Sequence, residues 1–258
     1  MLKRARWLWA AAIAGYAFLY LPLVIVAAYS FNNSRLNAEW VGFTLDWYTT
    51  LFHDDAMLSA AANSLVIGLV ASAVSTVLGT MAGFAMYRYK ARLLPVLVLT
   101  PIAIPEILMG VSLLIFFVLL NFTLGLVSVT LAHISFCIGF VAIVVRARLA
   151  GMDESLTEAA RDCGASPWEA FRYVTLPLIL PGVIAGALMS FITAINELSS
   201  SLILYVGRTM TMPVRIYLSV LDGQFGTASA LSTILLAATG VAVFVVFRIS
   251  DRKESAFV

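Results

Sequence analysis

Six long apolar runs constrain this sequence more than any other feature. They cover residues 7–29, 60–86, 95–120, 126–145, 178–204 and 227–247. Each is near or above the roughly 20 residues that a helix needs to cross the hydrocarbon core of a bilayer. Because 62% of the 258 residues are hydrophobic and only 12% are charged, the chain is more apolar than a soluble domain requires. We therefore predict an all-α integral membrane protein, a single domain over residues 1–258 with six transmembrane helices.

The basic residues are distributed unevenly between the two ends of these runs, which predicts the orientation of the chain. Thirteen of the 16 lie before the first run or after the second, fourth and sixth. They are Lys3, Arg4, Arg6, Arg88, Lys90, Arg92, Arg146, Arg148, Arg161, Arg172, Arg248, Arg252 and Lys253, whereas Arg35, Arg208 and Arg215 lie on the other face. The positive-inside rule therefore predicts a multi-pass protein with both termini in the cytoplasm. The first run is too long for a signal-peptide core, so we expect it to be a retained span.

The sequence offers little support for catalysis or for a bound cofactor. It has two cysteines, Cys137 and Cys163, without metal-binding Cys/His spacing, and it contains no Walker-type nucleotide motif. No nucleophile and base stand together, and two acids within apolar runs could pair only as a proton relay. We expect no metal site, no cofactor on this chain and no nucleic-acid partner.

The remaining segments predict packing surfaces and outer loops. The second run is rich in small residues, which let helices approach closely in lipid. Pro101 and Pro105 each remove a backbone donor and should bend the helix of the third run. Residues 30–59 suit an outer loop with a short interfacial helix around 45–52, although a plain spacer is an alternative. Residues 205–224, with glycine and proline, predict a second outer loop.

Two carboxylates lie inside the apolar runs. Glu106 directly follows Pro105 at the interruption of the third run, and Glu197 follows Asn196 in the fifth. A carboxylate at membrane depth costs about 2.5 kcal/mol or more on insertion scales, so such residues generally face a bundle interior or a water-filled path. We predict that both line a cavity, the alternative being a structural role at a helix contact. A lone histidine such as His133 is more often a satisfied packing residue.

A polar segment between the fourth and fifth runs has the composition of a helix, a turn and a second helix. Ser155 is expected to cap the first helix in the S-x-x-E manner, and Gly164 to end it in the left-handed conformation. Ser166 and Pro167 should start the second helix. Its apolar stripe then consists of Trp168, Phe171 and Val174. An amphipathic interfacial helix without a partner is the alternative interpretation.

The same segment resembles the EAA signature of membrane subunits of ATP-binding-cassette importers. That signature reads Glu-Ala-Ala, three residues, Gly, nine residues, an aliphatic residue, one residue and Leu-Pro. The matching residues are Glu158, Ala159, Ala160, Gly164, Val174, Leu176 and Pro177, with Val174 where isoleucine is usual. The resemblance implies the type I importer permease fold, with a cytoplasmic coupling helix between spans four and five. The coupling loop would cover residues 146–177.

The resemblance also implies how such a subunit works and with what. The coupling helix would dock into a cytoplasmic ATPase dimer, which would bind ATP and Mg. A second homologous permease subunit would complete the path, and an external substrate-binding protein would deliver the solute, all at the bacterial inner membrane. The residues expected to couple to the ATPase are Glu158, Ala159, Ala160, Gly164, Ala165, Ser166, Trp168, Leu176 and Pro177. A regulatory membrane protein without transport is a remote alternative.

Further stretches resemble the second permease of spermidine/putrescine importers. They include YLPLVIVAAYSFNNSR, WVGFTLDWYTTLF, PEILMGVSLL, AHISFC and the stretch from Arg146 through Pro181. In that family an acid stands at the position of Glu106 and a pair of aspartates at those of Asn196 and Glu197, so the resemblance implies that these three residues line a path for a polyamine. Here Asn196 is an amide, so one charge of the pair is absent. The run INELSSSLILYVGRTMTMPVRIY is more similar to ferric-iron and aminophosphonate importers, and these cargoes stay open as alternatives.

Overall fold

Helices dominate the computed structural model, which describes residues 2–89, 92–207 and 209–254. The described residues form no β-strand, only an isolated bridge between Asn32 and Phe43. Of the basic residues used above to predict orientation, Lys90 and Arg208 lie outside the described residues. Because the described residues form helices and no strand, the predicted all-α class is confirmed.

The helices follow the predicted apolar runs closely. They are α1 (Leu2–Tyr29), α2 (Asp46–Phe52), α3 (Asp55–Arg88), α4 (Leu93–Ala103), α5 (Glu106–Leu119), α6 (Leu126–Ala150), α7 (Ser155–Asp162), α8 (Pro167–Ala170), α9 (Leu176–Asn196), α10 (Ser199–Leu204), α11 (Met212–Leu221) and α12 (Phe225–Glu254). A π-helical turn, Phe171–Thr175, joins α8 to α9. Within the described chain, five stretches are long and apolar enough to span a membrane, and the α4–α5 pair makes six if it counts as one bent span.

The third run, 95–120, is interrupted as its prolines predicted, and the fifth is also not a continuous helix, unlike the predicted span 178–204. Helix α4 ends at Ala103, and α5 leaves it at an angle of 106°. Ile104 is extended, with ψ of 134°, because the ring of the following Pro105 disfavours the helical conformation there. Pro101, by contrast, is accommodated inside α4. In the fifth run Glu197 is likewise extended, with ψ of 122°, and separates α9 from α10.

The chain divides into two compact units, and the first comprises Met1–Leu58 and Val214–Ala238. In this unit the buried Asn32 organises the predicted outer loop: its Nδ2 donates to the Glu39 carbonyl (2.7 Å), and its Oδ1 accepts from the Val41 amide (2.8 Å). Helix α2 confirms the predicted short helix, and its Trp47 Nε1 donates to the Asn32 carbonyl (2.8 Å). These bonds give the segment more structure than a plain spacer needs. Residues 212–221, predicted as loop, are the helix α11, with Pro213 in its first turn.

The second unit comprises Ser59–Pro213 and Thr239–Val258 and holds the most closely packed helices. The small residues of α3 lie against α6 as predicted: a Cβ built on Gly79 would lie 2.6 Å from Val141 Cβ, and one on Gly83 would lie 2.8 Å from the Ala142 carbonyl. Helix α9 also packs on α6, where Gly186 faces Val141. The absence of side chains at these glycines thus sets the helix separation.

Candidate functional site

The polar segment between α6 and α9 forms the predicted helix–turn–helix. We call residues 146–177 the coupling segment. Helix α7 ends at Asp162, and Gly164 follows with φ of +91°, the left-handed region that glycine adopts without strain. The Ala165 amide then donates back to the Ala160 carbonyl (3.1 Å), which satisfies one of the free carbonyls at the end of α7. The predicted role of Gly164 in ending this helix is confirmed.

Ser155 does not cap α7, contrary to the prediction. It is the first helical residue, and the Asp153 carboxylate Oδ1 accepts its backbone amide at 3.0 Å. Hydrogen bonds from the Ser155 side chain and amide lower the pKa of Asp153 below its ordinary value. The carboxylate carries a full negative charge beside the positive helix end, so it outcompetes a serine hydroxyl two residues later.

The second helix of the coupling segment begins as predicted. Ser166 is the N-cap and Pro167 the first helical residue. The Ser166 amide donates to the Glu169 carboxylate (2.8 Å), and the Glu169 amide donates to Ser166 Oγ (3.3 Å). This reciprocal pair is a capping box, which satisfies two amides that the first turn of a helix leaves free. Helix α8 then runs through the π-helical turn into α9 without a break.

The coupling segment is attached to the end of α3 by aromatic and polar contacts. Phe84 meets Phe171 edge to face, with ring centroids 5.1 Å apart, and Phe171 stacks on Trp168 at 5.7 Å. Tyr87 Oη donates to the Glu154 carboxylate. Two of the predicted stripe residues therefore contact each other, and the stripe joins the segment to the rest of the second unit. Movement of the segment would reach α3 through these contacts.

Much of the coupling segment is exposed. Among the residues predicted to couple to an ATPase, Glu158, Ala159, Gly164, Ser166, Trp168 and Pro177 are exposed, and Ala160, Ala165 and Leu176 are half-buried. Trp168 leaves 64% of its surface exposed although it is a large apolar residue. An apolar ring amid polar residues on an exposed face is typical of a protein–protein docking surface. The role of these residues in coupling stays a prediction.

Glu106 occupies the first turn of α5, directly after the break from α4. Its side chain is exposed, and among the described residues none forms an ion pair or side-chain hydrogen bond with it. The next two residues, Ile107 and Leu108, are exposed and apolar. An unpaired carboxylate in such surroundings has to face water or a partner rather than hydrocarbon, since lipid offers no compensating group. The helix N-terminus supports its negative charge.

Glu197 lies in a different environment, buried with only 7% of its surface exposed. Its Oε1 accepts the Ser200 amide (2.7 Å) and its Oε2 the Ser201 amide (3.1 Å), so the carboxylate caps α10. His133 of α6 approaches from the side, with Nε2 at 3.4 Å from Oε2, and is itself 3% exposed. In this structure Glu197 thus lies among protein groups, and its place in a substrate path stays a prediction.

Asn196, the third predicted path residue, is exposed. Its Nδ2 donates to the Ile192 carbonyl at 2.8 Å and lies 3.4 Å from Thr239 Oγ1 of α12. The three predicted residues therefore lie in different surroundings: Glu197 is buried and paired internally, whereas Glu106 and Asn196 are exposed. The two acids, Glu106 and Glu197, share one feature: each lies at an interruption of an apolar run.

His133 is the residue that sequence reasoning undervalued. A single histidine in an apolar run gives no pattern to recognise, and its nearest acid in sequence is 20 residues away at Asp153. The only available signal was the presence of one buried acid and one histidine in neighbouring apolar runs. Pairing them required knowledge of which helix faces lie together.

Long apolar helices, two breaks in apolar runs that each place an acid at the break, and an exposed polar helical segment together define a class: the membrane subunit of a transporter. The comparisons with known proteins give the family.

The family model described as "Binding-protein-dependent transport system inner membrane component" matches residues 75–255. The chain is 33% identical to the putrescine transport system permease protein PotI of Escherichia coli K12, over 97% of this chain and 93% of that protein. It is 37% identical to the spermidine/putrescine transport system permease protein PotC of the same strain, over 88% of each. A solved bacterial ABC transporter that imports alginate matches the fold with a TM-score of 0.75 at 19% identity, over 97% of each chain.

The chain belongs to the family of binding-protein-dependent transport system inner membrane components. It is a multi-pass permease subunit of an ABC importer and a transport protein, not an enzyme. The resemblance drawn from the EAA signature is confirmed, and so is the type I importer permease fold.

Proposed function

We propose that this permease forms half of the path by which a polyamine, spermidine or putrescine, enters the cell. A second homologous permease supplies the other half, and an external substrate-binding protein delivers the solute. PotI and PotC, whose names state putrescine and spermidine/putrescine transport, support this cargo. The observation that carries the proposal is the exposed, unpaired carboxylate of Glu106 at a helix break.

A polyamine is an extended chain with separated ammonium groups, and spaced oxygen acceptors suit it chemically. Moving such a cation into a path through lipid removes its water, which a carboxylate at the path replaces most effectively. Glu106 is the candidate for this contact, and Asn196, an exposed residue, offers its amide oxygen to a second ammonium group. Glu197 would contribute only in a conformation that releases it from α10.

The coupling segment would dock into a cytoplasmic ATPase dimer. Its exposed Trp168 and the turn at Gly164 are suited to that contact, and the positive-inside distribution of basic residues supports a cytoplasmic location with both termini on the same side. ATP with Mg would bind to the ATPase, while this chain would bind no cofactor. Closure of the ATPase dimer on ATP would draw two coupling segments together, and hydrolysis would reset the path in an alternating-access cycle.

Replacement of Glu106 by Gln tests the cargo assignment. In proteoliposomes that contain the whole transporter and its substrate-binding protein, we expect Glu106→Gln to lower ATP-driven spermidine uptake about tenfold or more, since one carboxylate contact is lost. The matched control is Glu39→Gln, which makes the same change in the loop of the first unit. Unchanged uptake in the Glu106→Gln variant would contradict the cation path, and failure of the unmodified complex to take up spermidine or putrescine would contradict the polyamine cargo.

A further inference from the structure

His133 and Glu197 form a buried contact between α6 and the start of α10. His133 Nδ1 lies 2.8 Å from the Val129 carbonyl, which can only accept, so Nδ1 carries a hydrogen. The other ring nitrogen, Nε2, faces Glu197 Oε2 at 3.4 Å. Two lone pairs facing each other in a buried site would repel, so a hydrogen on one of the two partners, or on the Ser201 hydroxyl that lies 3.4 Å from both, stabilises the contact. The same carboxylate also accepts the Ser200 and Ser201 backbone amides.

This pair is positioned where it holds α10 in place. Glu197 binds the first amides of α10, and His133 connects the same carboxylate to α6. Ser201 Oγ lies 3.4 Å from both Nε2 and Oε2, so the first turn of α10 contacts both partners. Removing either side chain would leave the other buried without its partner. This loss destabilises a protein more than the loss of one partner from an exposed pair.

Helix α10 in turn packs closely on α5. A Cβ built on Gly110 would lie 3.2 Å from Ser200 Cα and 3.5 Å from Ile203 Cβ. Gly110 is one helical turn after Glu106, on the same face of α5. Helix α10 therefore packs against α5 one helical turn from Glu106.

We propose that His133 and Glu197 are positioning residues: as a buried pair they hold α10 against α5 and so place Glu106, and Glu197 does not bind the substrate in this conformation. This assigns different roles to the two intramembrane acids, one presented to the path and one retained within the protein. The importance of Glu106 depends on the proposed function, whereas the contact between α10 and α5 does not.

A cysteine pair measures that contact without any cargo. The Cβ separation of 3.5 Å between positions 110 and 203 lies at the short end of the disulfide range. In a chain with Cys137→Ala and Cys163→Ala, oxidation of Gly110→Cys/Ile203→Cys in native membranes is followed by blocking of the remaining thiols with maleimide-polyethylene glycol. We expect His133→Gln and Glu197→Gln each to slow disulfide formation about tenfold. The double variant should be slowed by a similar factor rather than the product, since the two residues act as one pair.

The matched control is His53→Gln, which changes the other histidine of the chain, an exposed one in the first unit. It should leave the cross-linking rate unchanged. The proposal that the two residues position α10 as a pair is wrong under either of two results. The first is that the His133 and Glu197 variants cross-link at the unmodified rate, and the second is that the effects of the two substitutions multiply in the double variant.

Uptake of cations of different charge separates positioning from binding. With the unmodified cysteines restored, we expect His133→Gln and Glu197→Gln to lower the maximal uptake rates of putrescine and spermidine by the same factor. If Glu197 bound the substrate, Glu197→Gln alone would discriminate against the more highly charged spermidine, and that result would overturn the proposal. Failure of the unmodified complex to transport either solute would contradict the proposed cargo, while the cross-linking result would still decide the role of the pair.

Discussion

At the scale of single residues, close helix contacts in the second unit depend on glycines, which have no side chain to hold the helices apart. A Cβ on Gly79 would lie 2.6 Å from Val141 Cβ and 2.8 Å from the Ile138 carbonyl. Val141 is fully buried and the carbonyl belongs to the backbone of α6, so neither can move without shifting the helix. Gly79 is therefore a position where one methyl group decides how two membrane helices pack.

Gly79→Ala should destabilise the protein by about 1–3 kcal/mol, because the added methyl group overpacks the contact between α3 and α6. The control is Gly240→Ala in α12, where no atom lies within 4 Å of the built Cβ and alanine favours the helix. Thermal unfolding of the purified chain in detergent should show a lower midpoint for the first variant and an equal or higher one for the second. Equal midpoints for both would show that the helices tolerate a wider separation.

Residue types in the sequence predicted where polar groups would be needed, but not with which atoms they would pair. The two intramembrane acids were recognised from their cost in lipid, yet one is exposed and the other is paired with His133. The capping residue of α7 was misassigned for a related reason. Asp153 and Ser155 are both good N-cap residues. They are only two residues apart, which is too small a separation for a local sequence pattern to resolve.

At the scale of helices and segments, the coupling segment was the most predictable part of the chain. The left-handed Gly164 and the Ser166–Pro167 helix start follow from local backbone preferences, which act within a few residues. The breaks at residue 105 and residue 197 were only partly predictable. Pro105 signalled an interruption but not an angle of 106°, and no glycine or proline adjoins Glu197 to signal one.

Trp168 provides a test of the coupling segment as a docking element. Trp168→Ala should weaken binding of the ATPase dimer about tenfold, since large aromatic residues supply much of the binding energy of such interfaces. Tyr173→Ala is the matched control, because Tyr173 is 69% exposed in the same segment but lies outside the predicted docking residues. Co-purification of the ATPase with each variant, at several ATPase concentrations, gives the comparison. Equal weakening by both would mean that the interface is placed incorrectly on the segment.

At the scale of the whole molecule, hydropathy and charge distribution were enough to predict the fold class. A bilayer admits few spanning structures, so six apolar runs lead directly to a bundle of long helices. The family was likewise evident from one segment with several fixed spacings, and it is confirmed. Orientation and the docking partner depend on the membrane and on a second protein, so they require measurement.

Cys163 is a natural reporter for the central claim, that the coupling segment faces the cytoplasm and docks on an ATPase. It is exposed between α7 and α8, and the other cysteine of the chain, Cys137, is buried. A membrane-impermeant maleimide should label Cys163 in inverted membrane vesicles but not in spheroplasts, and added ATPase should protect it. A Cys163→Ala variant measures background labelling. Labelling from the outer side, or labelling in inverted vesicles that the ATPase leaves unchanged, would contradict the account.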